Sequence, residues 1–334
     1  MSGTARTPGL RVGLIGLGSM GRHHARVIRA TPGMELVAVA DPGGDRFGVA
    51  GDLELLPDVA ALIDVGLDAA MVAVPTVYHE EVALALAEAG VPTMVEKPIA
   101  HSVQAGRRVA DAFASRDLVG AVGYVERCNP ALRALRERLD AGELGQVYQV
   151  LTRRQGPFPA RISDVGVVKD LATHDVDLTA WVAGSPYCSI SAQVTHRSGR
   201  ANEDMVVANG LLANGVIVSH TVNWLTPFKE RVTIVTGEKG AFVADTLTGD
   251  LTFHANGTVA STWDQVAAFR GVSEGDVIRY AIPKREPLAL EQERFRDAVR
   301  GVGHEHVTMA EGAETLAVVE AVLTSASENR VVGL

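Results

Sequence analysis

Leu10-Arg11-Val12-Gly13-Leu14-Ile15-Gly16-Leu17-Gly18-Ser19-Met20-Gly21 decides how this chain folds. A short apolar run, read as a buried strand, enters G-x-G-x-x-G, and a helix from about Met20 to Ala30 leaves it. Outward from this stretch the rhythm repeats. Glu35–Ala40 and Ala69–Val74 read as strands, and Pro75 stops the second of them. Glu80–Ala89 is an Ala/Leu-rich helix closed by Gly90. Thr93–Val95 is a strand running into Glu96-Lys97-Pro98, Ser102–Ser115 a helix and Leu118–Tyr124 a further strand. Strands alternating with helices over short links predict a parallel sheet covered by helices on both faces.

After Tyr124 the pattern changes. One helix, Pro130–Ala141, precedes hairpin-linked strands: Val147–Arg153, Ser189–His196, Met205–Leu212, Val216–Asn223, Arg231–Gly237 and Gly240–Asp245. Asn214-Gly215 carries the hairpin signal. A helix from Lys169 to Val182 interrupts these strands, and two more, Leu288–Arg300 and Met309–Ser327, finish the chain. The expected division is 1–124, an α/β domain, and 125–334, an α+β domain with a largely antiparallel sheet.

Composition narrows what such a chain meets. At 334 residues it has room for two domains of about 150 residues each. A formal charge of −9 argues against nucleic acid and anionic lipid as partners. The two cysteines, Cys128 and Cys188, lack ligand-like spacing. No apolar run reaches the roughly 18 residues of a membrane span, and Met1–Gly9 has no apolar core of a signal peptide. A cytoplasmic protein acting on a small molecule is expected.

The three glycines have separate duties in a strand–turn–helix of this kind. Gly16 permits the tight turn, Gly18 lets a pyrophosphate approach the backbone, and Gly21 lets helix and strand pack closely. With Ser19 and Met20 they would place phosphates on the amides of a helix start. The competing reading is a tight turn with no ligand. Asp41, twenty residues after Gly21 at the end of the second strand, can accept from the ribose hydroxyls of NAD and repel a 2′-phosphate, although Arg46 lies nearby. NAD is therefore the expected cofactor, ahead of NADP.

Ligands of a doubly wound sheet bind beyond the carboxyl ends of its strands. Pro75, Thr76 and His79 follow one strand, Glu96 and Lys97 another, so all five are candidate cofactor contacts. His79 reads equally as a helix-start residue without a ligand. Lys97, between a buried strand and a proline, reads as a site residue rather than a solvated lysine. Asp170 and His174, four apart, share one helix face, so the carboxylate can orient the imidazole for proton exchange with a hydroxyl. Asp170, His174 and Asp177 could also offer metal ligands, but hydride transfer to a nicotinamide requires no metal, and none is expected. His23, His24, His101, His304 and His306 read as surface or capping residues. Arg153, Arg154 and Arg161 suit a diphosphate, or are surface arginines on a loop.

These residues resemble the glucose–fructose oxidoreductase/inositol dehydrogenase (Gfo/Idh/MocA) family. The resemblance rests on Gly16–Gly21 with His24 three residues on, Asp41, Pro75–His79, Glu96-Lys97-Pro98, Asn129-Pro130 and Asp170…His174-Asp175-Val176-Asp177, and it spans nearly the whole chain. It implies a Rossmann domain followed by an open-faced sheet domain, the nicotinamide lying between them. It implies Lys97 polarising the reacting hydroxyl, His174 as acid/base and Asp170 as its support. It also implies dimers or tetramers formed by packing the large sheets face to face, and a cis Lys97–Pro98 peptide. Gly123-Tyr124-Val125-Glu126-Arg127, Gly156–Pro159, Asp164–Leu171 and Asn223–Lys229 are similar to nucleotide-sugar 3-dehydrogenases. That similarity adds Tyr124 and Arg127, the wider family pattern adds Asn129, and the arginine cluster adds Arg154 and Arg161, to Lys97, Asp170 and His174 as expected substrate contacts.

The resulting expectation is an NAD-dependent dehydrogenase of a ring hydroxyl, at C3 of a nucleotide-linked sugar, with inositol or a free polyol as the alternative substrate. A non-catalytic NAD(H) sensor would need neither Lys97 nor the Asp170–His174 pair, and a purely structural subunit would bind no dinucleotide. The second sheet is expected to be covered by another subunit, because Ala208, Leu211, Leu212, Val216, Ile217 and Val218 cannot all point to one side.

Overall fold

The structure, a computed structural model, describes residues 9–159, 165–257, 259–260 and 273–334. Two compact units emerge. The first comprises the chain up to Val125 together with Glu286–Leu316, and the second Glu126–Arg285 together with Ala317–Leu334. A division at Tyr124 follows the change of strand type; the return of residues 286–316 to the first unit depends on packing between positions far apart in sequence.

The first unit is built on β1 (Leu10–Ile15), β2 (Met34–Ala40), β3 (Leu55–Leu56), β4 (Ala69–Val72), β5 (Thr93–Glu96) and β6 (Gly120–Gly123). All pair in parallel, in the order β3-β2-β1-β4-β5-β6. Strands β4, β5 and β6 are buried at every position, as a parallel sheet with both faces covered requires. Their cover includes α1 (Gly21–Ala30), α2 (Val59–Asp64), α3 (His79–Glu88) and α4 (Val103–Ala114). The short β3 and α2 escaped the sequence reading because neither is long enough to show a period. Asp58 and Ser102 cap α2 and α4 through their side chains.

The second unit opens with α5 (Pro130–Asp140), capped by Asn129. Its sheet uses β7 (Val147–Pro157), β8 (Tyr187–Thr195), β9 (Met205–Leu212), β10 (Ile217–Asn223), β11 (Leu225–Gly237), β12 (Gly240–Asp245) and β13 (Asp250–Ala255). The pair β14 (Val259–Ala260) and β15 (Ser273–Glu274) forms a separate ribbon, while β16 (Val277–Arg279) joins the large sheet. Between β7 and β8 lies α6 (Thr173–Ala183); α7 (Pro287–Val299), α8 (Met309–Glu328) and β17 (Val332–Gly333) end the chain. The nine strands run β16-β13-β12-β11-β7-β10-β9-β8-β17, antiparallel except for β7 with β10.

Alternation is the mark of this sheet: β12 reads buried and half-buried by turns along its length. Ala208, Leu212, Val216 and Val218 are buried in the unit's core, whereas Val207, Leu211 and Ile217 are 41%, 42% and 53% exposed. The apolar residues at successive positions therefore divide between the two faces. Among the described residues no helix is long and apolar enough to cross a membrane.

Candidate active site

The glycines of the first turn are set apart by what a side chain would meet. At Gly16, with φ +91°, a methyl group would lie 2.5 Å from the backbone of Ala73. At Gly21 it would lie 1.9 Å from the Gly16 carbonyl oxygen. At Gly18 it would meet no protein atom within 4 Å, so the backbone there is open to a ligand's approach. Ser19 and Met20 are exposed at the start of α1, where the Met20 side chain makes no cap and the first turn carries no acid. A helix start without side-chain caps or acidic residues suits a pyrophosphate.

Asp41, at the end of β2, reaches this turn. Its Oδ2 accepts from the Leu17 amide at 2.7 Å and its Oδ1 from Gly43 at 2.8 Å. A carboxylate has about four acceptor positions, so capacity remains for ribose hydroxyls. Turn, helix start and carboxylate together fit a dinucleotide.

Beyond β4 and β5 the candidates separate. Pro75 and Thr76 lie at the 3-10 turn leading into α3. His79 is 1% exposed, with Nδ1 2.8 Å from the Pro98 carbonyl and Nε2 2.9 Å from that of Val74. Both ring nitrogens thus face backbone carbonyls, one of which receives the single N–H of a neutral ring, so the imidazole sits packed between two loops. Burial lowers its pKa, with the two carbonyls opposing that shift. Lys97 is half-buried and precedes a cis peptide to Pro98. Glu96 faces inward: its Oε1 lies 2.7 Å from His24 Nε2 and its Oε2 accepts from the Lys97 amide at 3.1 Å. Burial opposes its charge, but the hydrogen bond from His24 and the Lys97 charge hold its pKa below the usual value. His24 is only 2% exposed, which corrects the expectation of a surface or capping role. Tyr124 is also fully buried, in the apolar core of the first unit, so its ring is a packing element.

In the second unit Asp170 lies in a π-helical turn, Val168–Ala172, that leads directly into α6. The expected single α-helix is thus widened at its first turn, a distortion common at functional sites. Asp170 is buried, and His174 is half-buried with Nδ1 enclosed.

A bed of paired charges surrounds this helix. Arg127 makes a two-pronged contact with Asp177, Nε to Oδ2 at 2.9 Å and Nη2 to Oδ1 at 2.7 Å. Arg154, 2% exposed, donates to Asp175 at 3.0 Å and to Glu126 at 2.8 Å. Arg231, beside Arg154 on β11, reaches the same Glu126 oxygen at 3.4 Å. Burial raises the Asp175 pKa to about 6, against the pull of Arg154 and with a push from Glu126. Burial and the Arg154 charge lower that of Arg231, while Glu126, Asp175 and Asp170 oppose the shift.

This bed revises the sequence reading. Arg127 and Arg154 were expected to contact substrate, and Arg154 a diphosphate; both are buried against carboxylates, because a guanidinium removed from water requires paired acceptors. Asp177, a conceivable metal ligand by spacing, is held by Arg127. Asn129 caps α5 through Oδ1 and donates to the Thr246 carbonyl at 3.0 Å. Arg153 is on the solvent side of β7, paired with Glu230 at 3.0 Å. Arg161 lies outside the described residues. Glu126, Asp175 and Arg231 were missed. Strand β7 held a clue to them: Arg154 shares parity with the buried Val150 and Thr152, and an arginine on a buried face needs acids.

Comparison with known proteins adds to this geometry. Residues 10–124 match the oxidoreductase family with an NAD-binding Rossmann fold, and residues 132–243 the GFO/IDH/MocA C-terminal domain. The UDP-N-acetylglucosamine 3-dehydrogenase of Acidithiobacillus ferrooxidans is 32% identical over 87% of this chain and 88% of its own length. The chain belongs to the Gfo/Idh/MocA family of oxidoreductases. The solved structure of that Acidithiobacillus protein superposes with a TM-score of 0.84 at 26% identity, covering 96% of this chain and 99% of its own. Inositol 2-dehydrogenase 2 of Saccharopolyspora erythraea is 33% identical over 63% of this chain, and the match spans 65% of that relative's length. As in its family, this oxidoreductase has an NAD-binding Rossmann domain joined to a large, mostly antiparallel sheet.

Proposed function

We propose that the protein is an NAD-dependent dehydrogenase that oxidises a ring hydroxyl at C3 of a nucleotide-linked sugar. The observation that carries this reading is the match to the UDP-N-acetylglucosamine 3-dehydrogenase, which runs through both units and 87% of the chain. A polyol or inositol is the second substrate class, favoured by the inositol dehydrogenase at 33% identity. NAD, held by the first unit, would supply the acceptor for the hydride that leaves the carbon bearing the hydroxyl. Gly16, Gly18, Ser19, Met20 and Gly21 hold the pyrophosphate, and Asp41 the ribose, with Pro75, Thr76 and Glu96-Lys97 at the nicotinamide end. His174 Nε2 takes the hydroxyl proton, and Asp170 orients the imidazole. The Lys97 ammonium stabilises the oxygen as negative charge develops on it.

The deciding experiment follows absorbance at the NADH band with UDP-N-acetylglucosamine and with myo-inositol. Turnover of the nucleotide sugar well above that of inositol is expected; the reverse ratio assigns the protein to polyols, and no turnover of either rejects the dehydrogenase reading. His174→Ala should lower turnover by about 10²–10⁴-fold with NAD affinity unchanged. Near-normal turnover in that variant would move the base to another residue.

The oligomer belongs to the same proposal. Val207, Leu211 and Ile217 are exposed apolar residues on one face of the large sheet, Leu211 opposite Ile217 in the β9–β10 register, with the Asn209–Ser219 pair between them and Val207. A second copy packed there would bury them. Sedimentation should show a dimer or larger species that Leu211→Glu with Ile217→Glu shifts towards monomer; a wild-type monomer at micromolar concentration refutes the assembly.

A further inference from the structure

Helix α7 places a glutamine where its pattern calls for an apolar residue. Leu288, Phe295 and Ala298 are its buried apolar positions, and Gln292 lies among them at 0% exposure. The amide nitrogen of Gln292 is 2.9 Å from His24 Nδ1 and 3.3 Å from the His24 carbonyl oxygen. An amide oxygen at that position would face a carbonyl oxygen, so the atom there is the NH₂ group, and it donates to both. His24 Nδ1 is therefore an acceptor without a proton. A neutral imidazole then carries its hydrogen on Nε2, the nitrogen 2.7 Å from Glu96 Oε1. Glu96 receives this bond on one oxygen and the Lys97 amide on the other.

We infer that Gln292 is a positioning residue for Lys97: it selects the His24 tautomer that donates to Glu96, and Glu96 in turn fixes the backbone of Lys97. The chain Gln292–His24–Glu96–Lys97 lies wholly within the first unit, and residues 24, 96 and 292 are buried. With the other tautomer, a bare Nε2 would face a carboxylate oxygen. A neutral ring in that tautomer would separate from Glu96 and loosen the hold on residue 97, whereas a doubly protonated ring would keep the bond. The functional weight of this chain rests on the reading of Lys97 given above; its geometry does not.

The test is nuclear magnetic resonance of the full-length protein with ¹⁵N-labelled histidine, together with hydrogen exchange of the Lys97 amide. Wild-type His24 should carry its single ring proton on Nε2, with Nδ1 bare. In Gln292→Glu the acceptor replaces a donor, and both ring nitrogens should be protonated between two carboxylates. In Gln292→Leu the tautomers should mix, and the Lys97 amide should exchange about tenfold faster, the scale of one lost hydrogen bond. A wild-type ring protonated on Nδ1, or unchanged Lys97 exchange in folded Gln292→Leu, overturns the inference. Should Gln292→Leu fail to fold, the wild-type tautomer and Gln292→Glu decide. If Lys97→Ala kept normal turnover, the role of Lys97 would fail while these spectra remained as expected, so the two failures are distinguishable.

Discussion

The Gly16–Gly21 turn and the charged bed around α6 solve different problems. The turn prepares a surface by omitting side chains: Gly18 leaves backbone open, and Gly16 and Gly21 let strand, turn and helix close together. The bed prepares its surface by filling it, with Arg127 on Asp177 and Arg154 between Asp175 and Glu126. A ligand surface made of backbone needs only local sequence. A surface made of buried charges needs each ion to meet a partner from another element, and its cost and rigidity depend on that pairing.

Breaking a pair in the bed should give the largest effect. Asp177→Ala leaves a buried guanidinium without its two-pronged acceptor, and a loss of about 3–5 kcal/mol in denaturant unfolding is expected. A loss below about 1 kcal/mol would mean that water or another acid replaces Asp177.

The turn should yield smaller and separable effects. Gly21→Ala sets a methyl group against the Gly16 carbonyl, and about 1–3 kcal/mol of overpacking should appear as a lower melting temperature. Gly18→Ala meets no protein atom, so its melting temperature should match wild type while NAD binding by calorimetry weakens about tenfold. Equal behaviour of the two variants would break the contrast between packing glycine and ligand glycine.

The finest test is titration of Asp175. Its native pKa of about 6 exceeds the ordinary 3.8, so the native state binds this proton first as pH falls. The stabilisation is complete below the unfolded value and is lost as pH rises through about 6. Lowering pH from 7.5 to 5 should therefore add stability on the order of 1 kcal/mol through this group, an increment that Asp175→Asn should abolish. An identical pH slope in both proteins would show that the Arg154 pair, rather than burial, governs Asp175.

The legibility of fold and site follows the same division. Continuous apolar runs announced β1, β4 and β5, and the Asn214-Gly215 turn announced the β9–β10 hairpin, because a strand buried on both faces and a tight turn each leave a local mark in sequence. The i, i+4 spacing of Asp170 and His174 was visible, but the π-helical turn beneath it was not, since no residue pattern specifies that widening. His24 looked unremarkable because its partners, Glu96 and Gln292, are 72 and 268 residues away.

By itself, then, the sequence determined the dinucleotide turn, the acid at Asp41, the two kinds of sheet and the helix bearing His174. These depend on steric freedom, strand period and helical spacing, all of which act over a few residues. Tertiary structure alone decided that Arg127 and Arg154 face acids, that His79 packs between two loops, and that α7 returns Gln292 to His24. Those outcomes depend on which groups leave water together, and a buried charge or amide takes its role from partners that only the folded chain brings within about 3 Å.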